Sequence, residues 1–298
     1  MKTLAIISNK KRFPRKARII NFLKKYQRAE VRFIENFSDI PGIIRDNKDA
    51  ESVICCGGDG TISEVINNMD LETQNLGVIP YGRGNGFART LWANSPSRAL
   101  KAIKKGSTRV VDLIACEYVQ KGETFARYAV STAGLGRIAL SAQDANKNAR
   151  KSYIFTSIRA ALNKNELEGE LLIGENTSKT LQFSNLIVNN TPYIGNFYAF
   201  PKGDIHDSLM DFNITRINSL EQVLVTFIVL CKLHLYTKKH HPLTVHGQTH
   251  KLGLKLKKPA MLMLDGEVFG PVEEVKFSIL PGALKVYAIY KNSDKDLF

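Results

Sequence analysis

Two glycine-rich stretches carry the residue types and spacing of a phosphate site: Cys55-Cys56-Gly57-Gly58-Asp59-Gly60-Thr61-Ile62-Ser63-Glu64 and Pro80-Tyr81-Gly82-Arg83-Gly84-Asn85-Gly86-Phe87-Ala88-Arg89. Glycines at 57, 58 and 60 allow backbone conformations closed to other residues and leave main-chain N–H groups unobstructed. Each stretch follows an apolar run and opens a helical pattern, and the unpaired N–H groups at a helix start favour an anion. Thr61 and Glu64 fit a T-x-x-E capping box, with Ile62, Val65, Ile66 and Met69 as the buried stripe of that helix. Asp59 is the odd member. A carboxylate beside a phosphate cradle repels the ligand unless a divalent cation or a transferable proton lies between them, so it suggests metal handling or general-base work. Taken alone, the first stretch also reads as a tight turn with Asp59 as an Asx cap. The second loop, with Arg83 available for phosphate charge, shifts the balance to a nucleotide site. Neither stretch contains G-x-x-x-x-G-K-[ST], which excludes a P-loop.

The elements that must position these loops follow a βαβ rhythm. Apolar runs at Thr3 to Ile7, Val31 to Ile34, Ser52 to Cys56 and Leu76 to Ile79 read as buried strands. Between the first two lies an amphipathic stretch, Arg15 to Arg28, whose expected apolar face is Ile19, Ile20, Phe22, Leu23 and Tyr26. That pattern predicts a parallel sheet with helices on both faces, and both loops then fall at its carboxyl edge, where ligands bind. From about Arg109 the pattern changes to strand-like pieces: Val110 to Tyr118, Leu181 to Val188, Met210 to Thr215, Leu252 to Leu256 and Val275 to Leu280. Helical insertions near Ile138 to Asn163 and Leu220 to Leu235 interrupt them. The expectation is an α/β nucleotide-binding domain over 1–108, followed by a mostly antiparallel β-sandwich domain over 109–284 and a cleft between the two.

The chain has 298 residues, 44% of them hydrophobic, and a formal charge of +14. Such a length buries a sizeable core, and such a charge points to nucleic acid, nucleotide phosphates or an anionic membrane surface. Cys55, Cys56, Cys116 and Cys231 lack the spacing of a zinc site or disulfide framework, which fits a reduced, cytoplasmic chain. The apolar runs Leu4 to Ile7 and Val223 to Cys231 are too short for a signal-peptide core and a membrane span respectively. Basic clusters at Lys238-Lys239-His240-His241 and at Lys251, Lys255, Lys257 and Lys258 could face anionic lipid, although such clusters more often form solvated surface. The histidines His234, His240, His241 and His246 show no metal-ligand spacing. Gly134-Leu135-Gly136-Arg137-Ile138-Ala139 matches the G-x-G-x-x-A dinucleotide fingerprint, but no parallel strand ending in an acidic residue follows, so a close-packed turn is the better reading.

The strings "GGDGTISEV" at 57–65 and "IPYGRGNGFAR" at 79–89 resemble the catalytic region of diacylglycerol-kinase-like lipid kinases, particularly the short bacterial members. Gly134-Leu135-Gly136, Asp207-Ser208-Leu209-Met210-Asp211 and Leu264-Asp265-Gly266-Glu267 appear in that family's order, so the resemblance spans nearly the whole chain. It implies ATP and Mg²⁺ as cofactors, a lipid acceptor at a membrane surface and a peripheral association with that membrane. It also implies that the chain's end, 285–298, returns to the first domain. Carried over by position, the nucleotide side takes Asn9, Gly57, Gly58, Asp59, Gly60 and Thr61; Glu64, Gly82, Arg83, Gly84 and Asn85 complete the two loops. Glu267 is the implied proton acceptor beside Asp59, and a structural magnesium falls on Asp207, with Asp204 and Leu209 offering backbone oxygen. The chain departs from the family at Lys10, where a proline is usual, at Arg83 and Gly86, where many members have Thr and Asp, and at Ser208, where glycine is usual. A small residue at 86 resembles the sphingosine-kinase-like members and weakens any default to diacylglycerol.

A NAD-kinase-like nucleotide kinase shares the GGDGT loop but does not need the Asp207 string together with Glu267. A nucleic-acid-binding protein would account for the charge; without aromatics interleaved in the basic stretches or a recognised module, nucleic acid is not the expected partner. A homodimer is compatible with the sequence, which does not set the oligomeric state.

Overall fold

The computed structural model describes residues 2–8, 16–82, 84–147, 166–174, 177–195, 197–215 and 244–288. The chain divides into two compact units, Met1–Asp112 with Pro281–Phe298, and Leu113–Leu280.

The first unit contains β1 (Thr3–Ser8), α1 (Lys16–Gln27), β2 (Glu30–Ile34), α2 (Ile40–Arg45), β3 (Ser52–Gly57), α3 (Asp59–Ile66), β4 (Asn75–Pro80), α4 (Gly86–Thr90) and α5 (Pro96–Lys105), after which β5 (Thr108–Gln120) begins. β1 pairs in parallel with β2 and β3, and β3 with β4, giving the order β2-β1-β3-β4. Strands covered on both faces must be apolar throughout, and β1 and β3 are buried at every position. α1 turns only Ile19 and Leu23 fully inward. Ile20 and Phe22 are half-buried and Tyr26 stays exposed, so the expected apolar face is narrower than its sequence suggested. A strand coming from the second unit ends beside β4, with Val286 opposite Leu76, and the Tyr287 hydroxyl shares a 2.7 Å hydrogen bond with Ser52 of β3. Buried Asp112 accepts the Gly282 N–H at 2.8 Å.

The second unit is antiparallel. It takes in the rest of β5, then β6 (Glu123–Ala129), β7 (Thr132–Gly136), α6 (Arg137–Lys147), β8 (Leu167–Ile173), β9 (Thr177–Phe183), β10 (Asn185–Asn189), β11 (Tyr193–Ile194), β12 (Phe197–Tyr198), β13 (Met210–Thr215), β14 (Thr244–Thr249), β15 (Lys251–Leu264) and most of β16 (Glu267–Tyr287). β7 lies between β10 and β15, and β13 between β10 and β14. β15 pairs with β16 and β8. The run at 181–188 is not one strand: buried Ser184 separates β9 from β10, and its N–H bonds the carbonyl of Thr215. The first helical insertion is seen as α6; its remainder, and the expected helix at 220–235, lie outside the described residues. Leu135, Leu186, Phe212, Leu254, Leu262 and Phe277 belong to one buried cluster of this unit.

Candidate nucleotide and phosphoryl-transfer site

Gly57 and Pro80 are register partners at the ends of parallel β3 and β4, so both glycine loops leave the same edge of the first unit's sheet. They also touch. A Cβ on Gly58 would lie 2.7 Å from the Gly82 Cα, and one on Gly82 only 2.4 Å from the Gly58 Cα. Tyr81 N–H donates to the Gly57 carbonyl at 2.8 Å. The expectation that glycines 57, 58 and 60 provide unusual backbone angles is therefore corrected: none has a positive φ, and at 57 and 58 glycine is needed for close approach.

The capping box is corrected too. α3 starts at Asp59 with Gly58 as its N-cap, which leaves Thr61 inside the first turn. There its side chain packs against Gly57, where a Cβ would come within 2.5 Å of it. Glu64 instead accepts a 2.9 Å hydrogen bond from the Asn68 side chain, one turn along the helix. Because Gly57 and Gly58 present no side chains, the helix can begin at once, three residues before the capping pattern places it.

Asp59 links the loops. One carboxylate oxygen accepts the Gly86 N–H at 3.2 Å and the other the Phe87 N–H at 3.3 Å, so the first residue of α3 caps the start of α4. Asn85, in the left-handed region at φ 53, folds the second loop back: Gly82 N–H donates to its side-chain oxygen at 2.7 Å, and its amide donates to the Gly82 carbonyl at 2.8 Å. Burial pushes the pKa of Asp59 upward, against the lowering effect of the amides of Gly86, Phe87 and Asn85 and of the Arg89 charge. Gly60 sits in the first turn of α3 and Gly84 beside Asn85, while Asn9 and Arg83 lie outside the described residues.

In the second unit, Asp265-Gly266 is the two-residue turn between β15 and β16. Both residues have positive φ, 47 and 93, and Leu264 pairs with Glu267 across it. Asp265 is buried and accepts three amides, from Val130 at 2.8 Å and from Ser131 and Thr132 at 3.0 Å each. Its backbone N–H donates to the Thr132 carbonyl at 2.8 Å. Glu267 follows as the first residue of β16 and is half-buried. Beside the turn is a buried polar network that sequence reading missed: the Ser131 and Thr191 hydroxyls are 2.8 Å apart, and Thr132 donates to the Asn189 side chain. Its only sequence signal is polar residues closing apolar runs, at Ser131-Thr132 and Asn189-Asn190-Thr191.

The Asp207 string forms a turn in which the Leu209 N–H donates to Asp207 at 3.0 Å and the Gln248 amide at 3.4 Å. Ser208 occupies the left-handed region at φ 60, which gives a physical reason for glycine at this position in the family. Asp204 holds His206 at 3.1 Å. Buried Asp211 has its pKa pushed up to about 6, by burial first and then by the Asp207 charge, with Lys202 opposing. Among the described residues no three His, Cys, Asp or Glu side chains converge as a metal cluster. Gly134 and Gly136 are close-packed against β10 and its approach, where a Cβ would lie 2.3 Å from the carbonyls of Leu186 and Ser184. β7 is antiparallel to both neighbours, which removes the dinucleotide reading.

Comparison with known proteins agrees with this geometry. Residues 8–116 match the diacylglycerol kinase catalytic domain. An uncharacterized Synechocystis protein is 26% identical over 92% of this chain, which spans 64% of that relative's own length. The diacylglycerol kinase of Bacillus subtilis is 25% identical over 75% of this chain and 73% of its own. Among solved structures, a diacylglycerol kinase from Bacillus anthracis shares the fold at a TM-score of 0.70, with 15% identity over 97% of each chain. An NAD kinase from Archaeoglobus fulgidus bound to ATP reaches 0.54 with 15% identity, over 99% of this chain and 95% of its own. Residues 8–116 therefore resemble the diacylglycerol kinase catalytic domain, and the chain as a whole is similar to bacterial proteins of that kind.

Proposed function

We propose that this protein transfers the γ-phosphoryl group of ATP to the hydroxyl of a lipid. The observation that carries the reading is the pair of glycine loops pressed together at Gly58 and Gly82 and tied by Asp59 to the start of α4. Backbone amides fixed in this way suit a triphosphate, because phosphoryl transfer needs positioning and charge neutralisation more than covalent help. Gly57, Gly58, Gly60 and Thr61, with Gly82, Gly84 and Asn85, line the nucleotide side in this reading, and Asn9, Glu64 and Arg83 belong to it by position. Glu267 takes the proton of the attacking hydroxyl. Asp265 holds the turn from which Glu267 projects and takes no part in the proton transfer.

The donor set around Asp207 fits a divalent cation, since the Asp207 charge raises the pKa of Asp211 against the opposing Lys202, and a cation there would relieve that repulsion. Asp207 would hold the ion with backbone oxygens of Asp204 and Leu209. Magnesium bound with the nucleotide would supply charge neutralisation on the phosphates. The enzyme is assigned to the membrane periphery on its cytoplasmic side; among the described residues no helix is long and apolar enough to cross a membrane.

The deciding experiment is a kinase assay that offers diacylglycerol, phosphatidylglycerol, a sphingoid base and NAD side by side. Phosphorylation of one of the lipids is the expected result. Phosphorylation of NAD alone would replace this reading with the second one, which the shared fold of the Archaeoglobus enzyme keeps in view.

A further inference from the structure

The groove between α1 and α5, of about 740 Å³, belongs to neither candidate site, and four cations line it: Arg18, Lys25, Lys101 and Lys104. All four are exposed, none has an ion-pair partner among the described residues, and no carboxylate lines the groove. Its remaining lining includes half-buried Phe22, Leu100 and Pro96. Tyr26 stands over it 55% exposed, with the ammonium groups of Lys25 and Lys104 at 5.7 and 5.5 Å from its ring. A soluble anion would need donors converging on one point. Here the cations ring an amphipathic aromatic patch, which is the pattern of a surface that meets lipid headgroups and the boundary beneath them.

We propose that the α1–α5 groove docks the protein on the anionic membrane leaflet that holds its lipid substrate. The proposal rests on the lipid-kinase reading for the reason to dock, but the surface is read from its own charges and rings. It lies in the first unit, and none of its lining residues belongs to the basic stretches at 238–241 and 251–258.

The test is co-sedimentation of the full chain with vesicles of phosphatidylcholine, with and without phosphatidylglycerol, alongside turnover of a water-soluble short-chain diacylglycerol. Each cation near an anionic leaflet strengthens partitioning by about fivefold, so the variant with Arg18, Lys25, Lys101 and Lys104 all changed to Ser should lose at least ~50-fold on the anionic vesicles. Turnover of the short-chain substrate should not change. Tyr26→Ser should weaken vesicle binding by several-fold on its own, and Lys255→Ala with Lys258→Ala should leave it intact. Wild-type partitioning by the fourfold variant, or loss only in the Lys255 and Lys258 variant, overturns the proposal. So does a wild type that ignores vesicles but binds an oligonucleotide through these four cations. Loss of partitioning in the fourfold variant supports the surface even where no lipid is phosphorylated, in which case the lipid-kinase reading alone fails.

Discussion

Asp59 and Asp265 are both carboxylates held by backbone amides from elsewhere in the chain, but they are held differently. Asp265 is buried and receives three amides at 2.8–3.0 Å from one continuous segment, which satisfies it as a structural brace. Asp59 is half-buried and its two oxygens accept longer bonds, at 3.2 Å from Gly86 and 3.3 Å from Phe87, while the Asn85 amide also favours its charged form and burial pushes its pKa up. A carboxylate bound this loosely, beside two bare glycine backbones, keeps lone pairs for a ligand. The same residue type is a fastener in one unit and, on the proposed reading, a working group in the other.

The sharpest break of this comparison is Asp59→Asn, expected to lower kcat by about 10²–10⁴-fold while the melting temperature moves little. Because an amide nitrogen would face the N–H of Gly86 or Phe87, ATP affinity should fall as well. Glu267→Gln should lower kcat on a similar scale, about 10²–10⁴-fold, with ATP affinity held. Steady-state kinetics on both variants separates the roles. If Glu267→Gln keeps most of its kcat but loses ATP binding, Glu267 belongs to the nucleotide side, and Asp59 becomes the base.

Asp265→Ala inverts the pattern. Three buried amides lose their acceptor at a left-handed turn, so unfolding free energy should drop by about 3–5 kcal/mol, and activity should fall in proportion to the folded fraction. Asp265→Asn is milder, at about 2 kcal/mol, because one oxygen still accepts. Urea titration monitors both, and an Asp265→Ala protein as stable as the wild type would erase the distinction drawn here.

What the sequence made legible was local. β1, β3 and β4 were plain as apolar runs, and both glycine loops were visible as strings. The bond from Asp59 to Gly86 and Phe87 was not, because it joins residues 27 and 28 apart and follows from the packing of Gly58 on Gly82. Thr61 looked like a cap because capping patterns assume that a side chain is needed where the bare glycines make it unnecessary. Asp265-Gly266 looked like a hairpin and is one, but its hold on Val130 to Thr132 spans up to 135 residues and leaves no periodic trace. Tyr26 had the helical spacing of a core residue, yet it sits over a basic groove.

Gly82→Ala sharpens the first half of the comparison. Its Cβ would press on the Gly58 backbone at 2.4 Å, and backbone cannot yield cheaply. A cost of about 1–3 kcal/mol is expected, together with weaker ATP binding, because both loops shift at once. A calorimetric titration showing unchanged ATP affinity would mean that the contact between the loops does not shape the nucleotide side.

The smallest effect concerns a third carboxylate, Asp211, which has a like-charged neighbour and no amide cradle among its described contacts. Its pKa rises from 3.8 to about 6 on folding, by burial and then by the Asp207 charge. A raised carboxylate pKa means that the folded chain binds the proton more tightly than the unfolded chain. The stabilisation from this group is therefore complete below about pH 3.8 and is lost as pH rises through about 6. Asp211→Asn carries no such loss, so its stability relative to the wild type should climb by about 1–2 kcal/mol between pH 4 and pH 7.5, after allowance for partial solvent screening. Urea midpoints at those two pH values measure the climb, and a flat difference would show that Asp207 and Asp211 are not coupled. Magnesium provides the complementary arm: at pH 7.5 it should raise the wild-type midpoint by relieving the repulsion, and raise that of Asp207→Ala much less. Equal shifts in the two proteins would remove the cation from Asp207 and leave the pair as an uncompensated repulsion.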